Sequence, residues 1–105
     1  MNNKSLVSNA ADEEQVSNAK NVVADREKQR DSDLISIMET SAGRRWVWSH
    51  LIECHIFADI PIGDHATMAG LIRERSVGLR TLSRIERVCP ELYDTMREEQ
   101  RNAAR

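Results

Sequence analysis

Apolar residues recur at helical spacing through the second two thirds of the chain and thin out before it. From His65 to Val88, residues placed at about 100° intervals bring Met68, Leu71, Leu79, Leu82 and Ile85 onto one face, which predicts a long amphipathic helix. Gly78 sits within that stripe; a mid-helix glycine costs about 1 kcal/mol against alanine, so its place there predicts a close crossing by another helix. Upstream, "SAGRRWVWSHLIECHIF" predicts a helix from Ser41 to Phe57 with Thr40 as its N-cap. Val47, Trp48, Leu51, Ile52 and Cys54 form its core face, while Trp46 and Phe57 lie roughly opposite, beside His50 and Glu53. Before it, "DLISIMET" from Asp33 predicts a short helix with Leu34, Ile37 and Met38 on one side. Pro61 and Gly63 punctuate a loop in "ADIPIGDH", and Pro90 suits the first position of a last helix, "PELYDTMREEQRN", where its missing N–H is not needed. No segment alternates with period two for long enough to make a strand. The predicted fold is all-α: a four-helix domain over residues 33–100, an N-terminal helical extension over residues 1–32 and a short tail over residues 101–105.

The extension differs in kind. "NAKNVVADREKQR", from Asn18 to Arg30, has high helix propensity but only a thin apolar stripe of Val16, Ala19, Val22 and Val23. Too little apolar surface is present for it to fold alone, so its order is expected to come from a partner.

Composition narrows the function classes. Fifteen Lys+Arg stand against seventeen Asp+Glu, and the formal charge of −2 argues against a general phosphate binder. No apolar run approaches the ~20 residues a bilayer requires, and the N-terminus lacks the apolar stretch of a secretory signal. Cys54 and Cys89 are accordingly expected as free thiols in a reducing compartment. Arg73, Arg80, Arg84 and Arg87 share a narrow arc opposite the predicted core stripe. That arc reads either as a solvated face or as a contact surface for an acidic protein, with nucleic acid the less favoured partner. Arg75 falls on the apolar face itself and needs a carboxylate, for which Glu53, Asp59 and Asp64 are candidates.

Reaction chemistry finds little footing. His50 and Cys54 are four apart and could share a metal with His65 or Cys89, but no second pair has ligand spacing. A cysteine–histidine nucleophile would lack an oxyanion hole and an orienting group, and no glycine loop cradles a phosphate. The expectation is a non-enzymatic protein without cofactor or metal. The alternative reading is a small helix-turn-helix DNA-binding or regulatory protein, although the long third helix places Leu and Gly, not base-reading polar residues, through its centre.

Three ordered blocks are more distinctive. "TSAGRRWVWSHLIECHIF", "IRERSVGLRTL" and "CPELYDTM" together resemble a family of small tailed-phage (podovirus) proteins encoded in structural-gene regions and typified by a short protein of a Bordetella podophage. The resemblance covers residues 34–98 and rests on Thr40, Gly43, Arg44, Arg45, Trp48, Leu51, Cys54, Phe57, Arg75, Val77, Gly78, Leu79, Pro90, Glu91, Tyr93 and Met96. Cys89 stands where members often carry an Asp helix cap, and Arg73-Glu74 replaces a Glu-Gly pair. What the resemblance implies is a virion-associated component, made in the host cytoplasm and located inside the phage head or at the head-tail junction. Its implied partners are portal or internal core proteins and further copies of itself. The expected contact residues are Val16, Ala19, Val22, Val23, Trp46, His50, Arg73, Arg80, Arg84 and Arg87.

Overall fold

The computed structural model describes residues 3–59 and 63–105, with side chains from residue 10 onward. Pro61, expected to punctuate the loop, lies outside the described residues. Four helices follow in order: α1 (Asn3–Met38), α2 (Ser41–Glu53), α3 (His65–Val88) and α4 (Pro90–Ala103). Among the described residues there is no strand, so the fold is all-α.

Two of the predicted boundaries move. The separate helix expected from Asp33 is the last part of α1, because Asp31-Ser32-Asp33 contains neither Gly nor Pro and lowers helix propensity only by tenths of a kcal/mol per residue. The chain instead turns at Thr40, whose extended backbone (φ −102°, ψ 146°) starts α2. At its other end α2 stops at Glu53, not Phe57: the Cys54 N–H bonds back to the His50 carbonyl, and His55 takes φ 60°. A histidine in the left-handed region is uncommon but several-fold enriched over most residues there. Downstream, Asp64 caps α3, its Oδ1 accepting from the Thr67 N–H at 2.9 Å. Pro90 opens α4 as expected, but Cys89 before it makes no side-chain capping bond, as fits a thiol standing where a carboxylate would cap.

Contacts within the chain separate Met1–Ser32 from Asp33–Arg105. In the first unit every described side chain from Ala10 to Arg30 is exposed. The second has a core of Met38, Val47, Leu51, Cys54, Ile56, Ile85, Cys89 and Met96, with Leu34, Ile35, Trp48, Leu82, Leu92 and Tyr93 packed around it. Three expected core residues are misplaced: Ile37, Ile52 and Leu79 are 43%, 52% and 42% exposed. Ile52 sits about 140° from Val47 around α2, off the arc that Val47, Leu51 and Cys54 share. Met68 and Leu71 are only half-buried, so the buried part of α3 centres on Gly78 and Ile85. Ile56 joins the core because α2 has already ended, which a continuous helix would not have suggested.

Gly78 is the crossing point. A Cβ there would lie 2.5 Å from the Cys54 Cβ and 2.6 Å from the Ile56 Cγ2, so the segment leaving α2 rests directly on the α3 backbone.

Candidate functional site

The most distinctive motif, Thr40-x-x-Gly43-Arg44-Arg45, builds a corner between helices. The Thr40 hydroxyl donates to the Ile37 carbonyl (3.2 Å) and accepts from the Gly43 N–H (2.9 Å), closing the end of α1 and the start of α2 together. A side chain at Gly43 would run into the Ile37 carbonyl, so glycine is required by the closeness of the two backbones. Arg44 then reaches in both directions: Nη1 donates to the Met38 carbonyl at 2.8 Å, and Nε donates to Glu99 Oε1 on α4 at 2.6 Å. With Arg44 at 13% and Glu99 at 32% side-chain exposure, this is the least solvated of the three ion pairs described. One guanidinium thus satisfies an end-of-helix carbonyl and ties α4 to the α1–α2 corner. Arg45 points out to solvent.

Arg75 finds none of its expected partners. It is half-buried, and among the described residues no ion pair joins it to Glu53, Asp59 or Asp64. It lies at the margin of the buried arc of α3, where its stem can pack and its head can reach water. Neighbouring Glu74 is the paired member instead, with His55 Nε2 at 3.0 Å from its Oε2.

Trp46, one of the expected contact residues, is 64% exposed, and it stacks on His50 with ring centroids 5.4 Å apart and planes 6° from parallel. An indole held flat against an imidazole presents its other face outward as a preformed apolar platform. Trp48 was expected in the core and Phe57 on the far side. They stack on each other instead (4.9 Å) at the margin of the core, because the chain has left the helix before Phe57. Arg73 and Arg80 are exposed, and Leu79, Arg80, Ser83, Arg84 and Arg87 line a shallow open depression. Arg84 and Arg87 already have partners within the chain, so the four do not form a uniform row of free guanidinium groups. On α1, Val16, Ala19, Lys20, Val23 and Ala24 line an open apolar depression. Val22 stays exposed but falls about 100° away from Val23 around the helix.

One groove was not anticipated. Trp48 on α2 meets Arg97, Gln100 and Arg101 on α4, with Arg97 also 5.6 Å over the Tyr93 ring. The i, i+4 spacing of Tyr93, Arg97 and Arg101 was the available signal.

His50 Nε2 and Cys54 Sγ are 3.8 Å apart, but among the described residues no three His, Cys, Asp or Glu side chains converge as metal ligands. Burial pushes the Cys54 thiol up from its ordinary range, with Glu74 and Glu53 adding to it, and burial likewise raises Cys89, assisted by Glu91. Both shifts disfavour the thiolate, which is the reactive form. No described helix is long and apolar enough to cross a membrane. No family model, no curated protein and no solved structure matches this chain.

Proposed function

We propose that the protein is a non-enzymatic structural component of a tailed phage, a minor virion protein present in several copies inside the head or near the portal. The phage assignment is supported by the resemblance of its three motif blocks. The assembly part rests on one observation: the unbroken exposure of α1 from Ala10 to Arg30, including Val16, Val22 and Val23 at 54%, 48% and 59%. A helix of this composition gains little from its own propensity and is normally stabilised by packing, so its exposed apolar stripe is a surface suited to another chain. Trp46 on His50 supplies a second such surface, of the aromatic kind that dominates interface energetics. Portal or internal core proteins and further copies of this chain are the partners of this reading.

The test is quantitative mass spectrometry of purified particles, from cells producing either the full chain or one lacking residues 1–30. Several copies per particle with the full chain, and fewer with the truncated one, are expected. Absence of the full chain from particles, despite abundance in the infected cell, would rule the reading out.

A further inference from the structure

α3 carries an apolar row beside the one that enters the core. Ile72 and Leu79 are 50% and 42% exposed and stand one heptad apart. Half-buried Met68, Arg75 and Leu82 and exposed Glu86 continue the row at the alternating four- and three-residue steps of a seam between helices. The flanking positions on its open side are Ala69, Ser76 and Ser83, all exposed, small and uncharged. Those on the other side, Leu71, Gly78 and Ile85, are buried or half-buried. Arg75 and Glu86 are thus the only charges on the row or its flanks. Arg73, Glu74, Arg80, Arg84 and Arg87 all lie about 130° or more around the helix from its centre. Among the described residues neither Arg75 nor Glu86 joins an ion pair.

We infer that a second copy of this chain covers this row, with the two α3 helices antiparallel about a two-fold axis level with Arg80 and Thr81. Deepening the assembly reading above, the inference rests on it for the premise that copies associate. Leu79 of each copy meets Leu82 of the other across the axis, and Ser76 and Ser83 let the backbones approach. Arg75 and Glu86 are equidistant from the axis, so each copy's Arg75 faces the other's Glu86 and the ion pair is made twice. The half-buried guanidinium that lacks a carboxylate in its own chain gains one from its neighbour, in a charge-assisted bond at the edge of an apolar contact. Ile72 reaches the other copy's α3–α4 junction at Cys89-Pro90, beyond which Glu91 falls level with uncharged Ala69, Gly70 and Leu71. A parallel pair would bury the same apolar side chains but set Arg75 against Arg75 and Glu86 against Glu86. The charge pattern therefore selects the antiparallel arrangement, and isologous contacts of this kind close at two copies. Arg73, Arg80 and Arg87 of both copies border one side of the contact but point away from it, and salt screens them beyond about 8 Å. With so few apolar side chains on each copy, the affinity is on the order of micromolar or weaker.

Sedimentation equilibrium of the full chain at physiological salt, up to about millimolar concentration, tests this. The mass is expected to rise from 12.0 kDa toward twice that value. Leu79→Lys should abolish the rise while the thermal transition of the core stays in place, because Leu79 is exposed in the single chain. Arg75→Glu and Glu86→Arg should each weaken association by about five- to tenfold. An equimolar mixture of these two single variants should regain the wild-type affinity, because both contacts in the mixed pair are again of opposite sign. In a parallel pair the single variants would change nothing and the mixture would exceed wild type, and that pattern overturns the inference. Should Arg75→Glu disturb the fold, Glu86→Arg decides alone, since Glu86 is exposed: unchanged association in that variant overturns the inference. So does a constant 12.0 kDa at every concentration, or a Leu79→Lys variant that still dimerises. Particle incorporation is read separately: a chain that enters particles yet never pairs in solution overturns the inference and leaves the virion reading standing.

Discussion

Two arginines that look alike in the sequence have different surroundings in the fold. Arg44 and Arg75 both fall among apolar residues, yet only Arg44 has a carboxylate within reach, from Glu99 on a helix fifty-five positions away. No local pattern announces that partner, because Glu99 sits in an ordinary charged run, "REEQR". The glycines were more legible, since a glycine inside a helix or just after an N-cap marks a close backbone approach whatever the partner. Replacing Arg44 by Met should strand Glu99 and the Met38 carbonyl and cost about 1.5–3 kcal/mol in chemical denaturation. Arg75→Met should stay within about 0.5 kcal/mol of wild type. Equal losses for the two variants would contradict the assignment of the ion pair. At Gly78, alanine would overlap the Cys54 Cβ, which cannot rotate away, and should cost about 1–3 kcal/mol in the same measurement.

Helices were easier to read than their joints. Apolar spacing located α2, α3 and α4, and Thr40 and Pro90 stand at the helix starts where capping chemistry placed them. The misses were ends without a strong signal: a helix running through Asp31-Ser32-Asp33, and one stopping at a histidine with positive φ. The early end of α2 sets Phe57 against Trp48, whereas Ile37 was misassigned because the core arc at the end of α1 is Leu34, Ile35 and Met38. Asp64 is a cap whose effect is open to titration. The Thr67 backbone N–H, then the Thr67 hydroxyl, hold its carboxyl below the ordinary value of 3.8, so the ionised form is favoured in the fold. Its contribution is present above that unfolded value and is lost as pH falls through the depressed folded one. The melting temperatures of wild type and Asp64→Ala should therefore differ near pH 7 and converge toward pH 2. A constant difference across that range would mean that the ionised cap is not what stabilises α3.

For the whole molecule, the informative contrast lies between the two units of the chain. Among the described residues, the eight buried apolar ones belong to Asp33–Arg105, whereas the side chains from Ala10 to Arg30 are exposed without exception. The thin valine stripe was visible in the sequence and raised the expectation of a partner; the partner's identity was not legible, because the stripe specifies apolar area and little else. Since every described side chain from Ala10 to Arg30 is exposed, deleting residues 1–30 should leave the core's denaturant midpoint nearly unchanged. Asp31 or Asp33 would then stand near the new helix start, where acidic residues are favoured. The full chain should behave differently in one respect. A long polar helix is marginal alone and gains from association, so its ellipticity at 222 nm, per residue, should rise with protein concentration in step with mass. The truncated chain should show no such rise in ellipticity. If truncation instead lowered the midpoint by more than about 1 kcal/mol of stability, the N-terminal part of α1 would be supporting the core directly. Assembly would then no longer be needed to explain why so long a helix carries three exposed valines.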